Sequence, residues 1–176
     1  MTDLLMTAFN FEITLLRSAE IAAGSNREAA ARDDSAARLG DGGFQDCAGL
    51  EIAMDVQEYL EGGRNDGVIQ RIGRAKYQPI ILKRGMFFGE NNEVSRDLWD
   101  WMQGVVSGRR PVLRYDGVVR VFGRRDGDGA ASAVAVWSFD RGLPIRIAGP
   151  QLNAQNGQIA IEELHIAHEG LRLEAA

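Results

Sequence analysis

The feature that most constrains this fold is an alternation of apolar and polar residues, which recurs in several separate segments. In Phe9–Leu15 every odd-numbered residue is apolar and every even-numbered residue is polar. From Leu50 to Val56 apolar residues again occupy every second position, with Glu51 and Asp55 between them. Because successive side chains of a strand point to opposite faces, both segments are predicted to be half-buried β-strands with the apolar side chains facing inward.

Most of the remaining chain is also predicted as strand, and only one segment has a helical period. Further strands are predicted in residues 78–85, 111–126, 131–149 and 158–174. We therefore expect a mainly β, antiparallel two-sheet sandwich or barrel with about seven or eight strands and one flanking helix. A chain of 176 residues is long enough to bury a core, and we expect a single domain over residues 1–176.

The helix is predicted over residues 96–107. Leu98, Trp101 and Val105 recur there at helical spacing. Ser95 is the residue type preferred at an N-cap, and Gly108 is suited to the residue beyond the C-terminal end. Trp99, Trp101 and Met102 are expected to supply much of the buried surface of this helix.

A polar, alanine-rich segment at residues 17–43 fits neither period. Ser25 and Glu28 have the spacing of a capping box, which predicts a helix over Asn26–Leu39. Such a helix has little apolar surface to bury, and isolated helices of this length are marginal in water. Two interpretations stay open: an exposed flexible insertion, or a helix that becomes ordered against another chain.

Composition excludes several classes of protein. The formal net charge of -5 argues against a general nucleic-acid binder, whose affinity depends on cationic contacts to phosphate. A single cysteine, Cys47, cannot form an intrachain disulfide. The first residues lack the basic and apolar regions of a signal peptide, and no apolar run is long enough for a membrane span. Synthesis in the cytoplasm is therefore expected.

Residue patterns that could indicate catalysis or metal binding are weak. His165 and His168 are three positions apart on a predicted strand, so they should point to opposite faces and not share a metal ion. The acidic pairs Asp33-Asp34 and Glu162-Glu163 are more typical of a solvated surface, and Asp126–Gly129 is better explained as a turn than as a calcium loop. We expect no enzyme activity, no metal and no cofactor.

Four blocks of sequence, in order, resemble the tail-tube proteins of contractile phages. The similarity is closest to inner-tube proteins of phage-tail-like contractile injection systems. The blocks are "FQDCAGLEIAMDVQEYLEGG", "KYQPIILKRG", "LWDW" and "GPQLNAQNGQIAIEELHIAHEGL". Each block alone is weak, but four in the correct order are specific. They extend over most of the chain outside residues 17–43.

This resemblance implies a structural subunit. Such subunits form hexameric rings that stack into a hollow tube inside a contractile sheath. The implied partners are further copies of the chain, a sheath protein, baseplate proteins, and DNA or a protein effector as cargo in the lumen. The implied location is a virion, or an injection particle outside or anchored to a cell. Two alternatives stay open: a tube-initiator subunit that joins baseplate to tube, and a tube protein of the type VI secretion kind.

A polar, glycine- and arginine-rich connector is predicted between two strands, over Glu61–Lys76. Its glycines permit unusual backbone angles, and its arginines can form bidentate bonds to partner carboxylates. We expect it to cross a subunit boundary. The predicted subunit-interface residues are Gly62, Gly63, Arg64, Arg71, Arg74 and Lys76, together with Arg27 and Arg32 of the alanine-rich segment. The predicted lumen residues are Glu51, Asp55 and Glu61.

Overall fold

The computed structural model describes residues 10–19, 38–40, 43–63, 66–88, 93–123, 132–155 and 157–174. Ten strands and one helix lie within these residues. The strands are β1 (Phe11–Arg17), β2 (Arg38–Leu39), β3 (Phe44–Ala48), β4 (Ile52–Tyr59), β5 (Ile69–Tyr77), β6 (Ile80–Gly85), β7 (Tyr115–Phe122), β8 (Ala133–Ala148), β9 (Ile161–Ala167) and β10 (Gly170–Glu174). The helix, α1, is Asp97–Val106.

Eight of the strands form one hydrogen-bonded system. Their order is β2-β1-β7-β8-β9-β6-β3, with β10 also paired to β8, and every pair is antiparallel. The long strand β8 belongs to two sheets: its first part pairs with β7 and β10, and residues 143–148 pair with β9. Between these parts Arg141 has a φ of 54°, which interrupts the regular extended backbone.

One hydrophobic core is shared by the two sheets and the helix. Side chains of β1, β7 and β8 meet those of β6, β9 and α1 in this core. Its members include Leu15, Val119, Phe139, Ile80, Leu82, Leu164, Ile166, Leu98 and Trp101. The prediction of two antiparallel sheets is confirmed. The closed-barrel alternative is wrong, because the order of the described strands ends at β2 and at β3 and these two strands do not pair with each other.

The predicted helix is confirmed, but its predicted N-cap is wrong. Arg96 occupies the N-cap position, and no side chain there makes a capping hydrogen bond. Ser95 is instead held by its backbone N–H, which donates to the Phe87 carbonyl at 2.9 Å. Leu98 and Trp101 are buried, whereas Trp99 and Met102 are half-buried. Gly108, with φ of 74°, follows the helix as predicted.

The remaining two strands, β4 and β5, form a separate hairpin. Their register runs from Ile52 opposite Tyr77 to Tyr59 opposite Ile69. The predicted long connector over residues 61–76 is therefore wrong for residues 69–76, which are a strand. The pattern hid β5 because its polar residues and Gly73 break the alternation. Gly73 lies against the backbone of Asp55 at a bulge, where an added Cβ would be 3.0 Å from the Asp55 carbonyl oxygen.

The predicted helix over Asn26–Leu39 is wrong at its C-terminal end. Arg38 and Leu39 form β2, in which Leu39 pairs with Leu15 of β1. Leu39 also packs against the hydrophobic core, which its apolar side chain explains. The rest of that prediction lies outside the described residues. Among the described residues, no helix has the length and apolar character needed to cross a membrane.

Candidate assembly surfaces

The hairpin of β4 and β5 exposes an apolar face. Ile52, Met54 and Val56 alternate along β4, and Ile72 and Tyr77 lie opposite them on β5. We call these five residues the apolar hairpin face. Ile72 is 80% exposed, Val56 60% and Ile52 53%. The alternation and the strand β4 were predicted correctly, but the prediction that Ile52, Met54 and Val56 face inward is wrong, because no second layer among the described residues covers them.

The opposite surface of the same hairpin includes a group of polar side chains. It carries Asp55 and Gln57 of β4 with Arg71 and Lys76 of β5, and we call these four residues the polar hairpin face. Lys76 Nζ lies 2.7 Å from Asp55 Oδ1. The Arg71 guanidinium lies 4.6 Å from the centre of the Tyr59 ring, which is a cation–π distance. A predicted lumen residue and a predicted interface residue are thus brought together as one ion pair.

The other predicted assembly residues have varied positions. Glu51 precedes β4 and Glu61 follows it, and both are exposed. Gly62 and Gly63 form the turn after β4, where Gly63 has a φ of 88°. Arg74 is exposed on β5 beside the bulge. Arg27, Arg32 and Arg64 lie outside the described residues.

The hairpin is attached to the two-sheet body near its base. The Tyr77 ring packs on the His168 ring with 5.3 Å between centroids. His168 Nε2 lies 3.0 Å from the carbonyl oxygen of Gln78, and its Nδ1 lies 2.9 Å from that of Gly170. His165 has different partners, Glu163 at 2.6 Å and Arg146 at 3.2 Å. The two histidines are therefore held by separate groups.

A buried ion pair joins the helix to the sheet. Arg84 Nε donates to Glu162 Oε1 at 2.5 Å, and both side chains are only 1% exposed. Trp99 Nε1 donates to the other oxygen, Glu162 Oε2, at 2.9 Å. Arg84 Nη1 is buried without a hydrogen-bond partner. We call Arg84, Glu162 and Trp99 the buried cluster.

The interpretation of Glu162-Glu163 as a solvated pair is therefore wrong for Glu162. Because adjacent residues of a strand point to opposite faces, only one of the two carboxylates can face the core, and here Glu162 is buried against Arg84. Glu163 lies on the outer face, where the hydrogen bond from His165 lowers the pKa of its carboxyl. Glu162 occupies an inward position in the alternation of β9, and this pattern could have identified its carboxylate as buried.

The chain matches a family model over residues 7–172, and that family is described as the T4-like virus tail tube protein gp19. It belongs to this tail tube family. The comparison with curated protein sequences gave no match. The resemblance drawn from the four sequence blocks is thus confirmed.

Solved structures of injection-system components share the fold. A chain of the anti-feeding prophage (AFP) baseplate has a TM-score of 0.73 at 17% identity, covering 99% of this chain and 98% of that one. A chain of the PVC extracellular contractile injection system, in its sheath–tube complex, has a TM-score of 0.71 at 18% identity, covering 98% and 93%. A chain of the AFP tube-terminating cap has a TM-score of 0.71 at 17% identity, covering 100% and 95%.

The blocks that resemble the tail tube family meet in the buried cluster. Arg84 comes from "KYQPIILKRG", Trp99 from "LWDW" and Glu162 from "IAIEELHIAHEGL". Gly49 of the first block also has a physical reason: its φ is 86°, and an added Cβ would lie 2.0 Å from the carbonyl oxygen of Pro79. Much of this motif therefore maintains the fold, whereas the side chains of the hairpin are mostly exposed.

Proposed function

We propose that this chain is the repeating subunit of an inner tube, and that six copies form a ring and rings stack head to tail. The uncovered apolar hairpin face carries the proposal. An isolated two-stranded hairpin is at best marginally stable in water, and contiguous exposed apolar surface commonly marks an interaction site. The neighbouring copy supplies the missing cover.

Contact between two different surfaces of identical subunits extends the assembly without limit unless it closes into a ring. Here one surface is the apolar hairpin face and the other is on the body of the next copy. Repetition of this contact around a ring and along a stack strengthens it through multivalency. Gly62, Gly63, Arg71, Arg74 and Lys76 then lie at or beside the boundary between subunits.

When the neighbouring copy covers the apolar hairpin face, the polar hairpin face on the opposite side stays exposed toward the opening of the ring. Asp55 lies on this face of β4, and Glu51 and Glu61 flank the two ends of the same strand. We infer that part of it lines the channel. Carboxylates in such a wall repel nucleic acid through their summed field, which suits a conduit that must release its cargo. The pairing of Asp55 with Lys76 weakens this field locally.

The subunit's role in this proposal is structural and involves no bond chemistry. Its partners are further copies of itself, a surrounding sheath and a baseplate, with DNA or a protein effector passing through the lumen. The chains of similar fold come from a sheath–tube complex, a baseplate and a tube-terminating cap. Synthesis in the cytoplasm followed by incorporation into a phage tail or injection particle is part of the same proposal.

Electron microscopy of the purified chain at increasing concentration tests ring and tube formation. Ile72→Asp places a charge in the apolar hairpin face and is expected to abolish assembly while the folded monomer remains. Gln57→Asp is the matched control, because Gln57 is exposed on the opposite face of the same hairpin. Ile72→Asp protein that still forms normal tubes would contradict the proposed interface.

Position along the particle distinguishes the repeating subunit from an initiator. A labelled copy of the chain is expected along the whole tube, because the repeating subunit is its most numerous component. Label confined to the baseplate end would instead assign the chain to the first ring. Particles in which residues 19–42 are deleted provide a second comparison, since tubes of normal length would show that this segment is dispensable.

A further inference from the structure

A basic cavity lies at one edge of the sheet formed by β1, β7 and β8. Arg17 ends β1, Arg114 immediately precedes β7, and Arg141 lies where β8 passes from one sheet to the other. The register places Arg17 opposite Tyr115, and Tyr115 opposite Gly142. The ends of three adjacent strands therefore bring three guanidinium groups together. They line a cavity of about 240 Å³ with Ser18, Pro111 and Leu113.

Charged groups behind the cavity fix its shape. Glu169 places one oxygen 3.2 Å from Arg114 Nη1 and the other 3.4 Å from Arg141 Nε. Asp116 Oδ1 accepts hydrogen bonds from Ser18 Oγ at 2.6 Å and from the backbone N–H of Arg141 at 2.7 Å. The second bond helps to hold Arg141 in its left-handed conformation, in which its φ is 54°. Arg114 and Arg141 are thus held in place before any ligand arrives.

The lining of the cavity favours an anion. Among the described residues that form its wall, the charged side chains are all arginines, and Glu169 and Asp116 are not part of that wall. Arg109 and Arg110 precede the lining residue Pro111 and add positive charge nearby. Guanidinium groups bind carboxylates with high geometric specificity. The volume far exceeds the roughly 30 Å³ of one water molecule, so a side chain can enter.

We propose that this cavity receives a carboxylate side chain from a second copy of the chain. The choice of partner rests on charge complementarity and on the proposed tube function. The chain carries 25 acidic and 20 basic residues, so a neighbouring copy has more carboxylates than basic side chains to offer to this cluster of arginines. The contact adds a directional ion pair to the apolar contact of the hairpin. It also sets the orientation of one copy on the next.

A zero-length cross-link tests the pairing directly. Arg17→Lys keeps the positive charge and introduces an amine that a carbodiimide couples only to a carboxylate in contact. Assembled mixtures of ¹⁴N- and ¹⁵N-labelled copies are expected to give cross-linked peptides that join Lys at position 17 of one copy to an acidic residue of another. Arg96→Lys is the matched control, because Arg96 is an exposed arginine at the N-cap of the helix and its carboxylate contact, with Asp100, lies within the same copy.

A second experiment removes the positive charge at position 17. Arg17→Glu is expected to raise the concentration needed for half-maximal assembly by roughly tenfold or more, and Arg96→Glu to leave it unchanged. Assembly of Arg17→Glu at the unaltered concentration, or cross-links only within one copy, would overturn the inference. Tubes formed by the unaltered chain in those same samples would leave the proposed function standing. An unaltered chain that never forms rings would remove both.

Discussion

The hairpin strand β4 and the central strand β9 have the same alternation of side chains between two faces, but they differ in how far those side chains are buried. In β9 every second side chain is buried, including Glu162, Leu164 and Ile166. In β4 none of the side chains is buried, although Ile52, Met54 and Val56 occupy equivalent alternate positions. The strand β9 lies between β6 and β8 and contributes to the shared core, whereas β4 pairs with β5 alone among the described strands.

The difference shows that alternation predicts which side chains share a face, but not what covers that face. Burial depends on a second layer, and the layer can belong to the same chain or to another copy. For a tail tube protein the second possibility is natural, because the functional unit is an assembly. The comparison can therefore be tested by perturbing the covered and the uncovered region in matched pairs.

The largest effect is expected in the buried cluster of the covered region. Arg84→Ala leaves the Glu162 carboxylate buried without its ionic partner, which is expected to cost about 3–5 kcal/mol of unfolding free energy. Urea denaturation under conditions where the chain is monomeric measures this. A double variant with apolar residues at both positions, Arg84→Met with Glu162→Leu, should be less damaging than the single change. A loss below about 1 kcal/mol for Arg84→Ala would show that this pair is not a determinant of the fold.

A comparison of two aliphatic truncations addresses the contrast itself. Leu82, which is 1% exposed in β6, and Ile72, which is 80% exposed in the hairpin, are both changed to Ala. Leu82→Ala is expected to cost about 2–5 kcal/mol in monomer stability, because it leaves a cavity in the core. Ile72→Ala should change monomer stability by less than about 0.5 kcal/mol yet weaken assembly. Similar monomer losses for the two would mean that the hairpin is covered within one chain.

Much of the two-sheet body could be predicted from the sequence because its determinants are local. The apolar residues of β6, the alternation of β9, the helical period of α1 and Gly108 all specify conformation over a few residues. β5 was missed because its pairing depends on β4 and not on its own apolar pattern. The buried role of Arg84 was missed because its partners, Glu162 and Trp99, are distant in sequence and meet only after folding.

The candidate site was predicted only in part, and the reason is also physical. Gly62 and Gly63 were predicted to lie in a connector with unusual backbone angles, and they form a turn in which Gly63 has a positive φ. Arg17, Arg114 and Arg141 gave no signal, because they come together only through the register of three strands. Surfaces built from the ends of several strands have no sequence period that could reveal them.

The rate at which a cysteine thiol reacts gives a third measure of whether a side chain is covered. Burial, with a smaller contribution from Asp46, raises the pKa of Cys47 in β3 to about 12. Only the thiolate reacts, so at pH 8 Cys47 should react at least about a hundredfold more slowly than an exposed cysteine. The comparison variant is Cys47→Ser with Met54→Cys, which moves the thiol to the apolar hairpin face. The rate is measured with a chromogenic disulfide reagent.

The pH dependence of the two rates should also differ. For Cys47 the thiolate fraction rises about tenfold per pH unit up to a pH near its pKa of about 12. A cysteine at position 54 in the monomer should level off above the ordinary thiol pKa of about 8.5. Assembly should then protect position 54 and leave the already slow reaction of Cys47 little changed. Equal protection at both positions, or at neither, would count against the neighbouring copy as the cover of the hairpin.

The smallest effect is expected for the exposed ion pair of the polar hairpin face. Asp55 and Lys76 are 2.7 Å apart, but their side chains remain 45% and 64% exposed. Asp55→Asn should therefore change monomer stability by less than about 1 kcal/mol, and salt should reduce even that. A double-mutant cycle with Lys76→Met isolates the coupling energy between the two side chains. The same double-mutant cycle can be measured on assembly, with the concentration needed for half-maximal tube formation as the readout. It reports whether the polar hairpin face stays in water in the tube.

A coupling energy as small as in the monomer is expected if this face lines an aqueous channel, since water continues to screen the pair. A coupling several times larger would place the pair in a dry contact between copies, and the channel would then have to be lined by other residues.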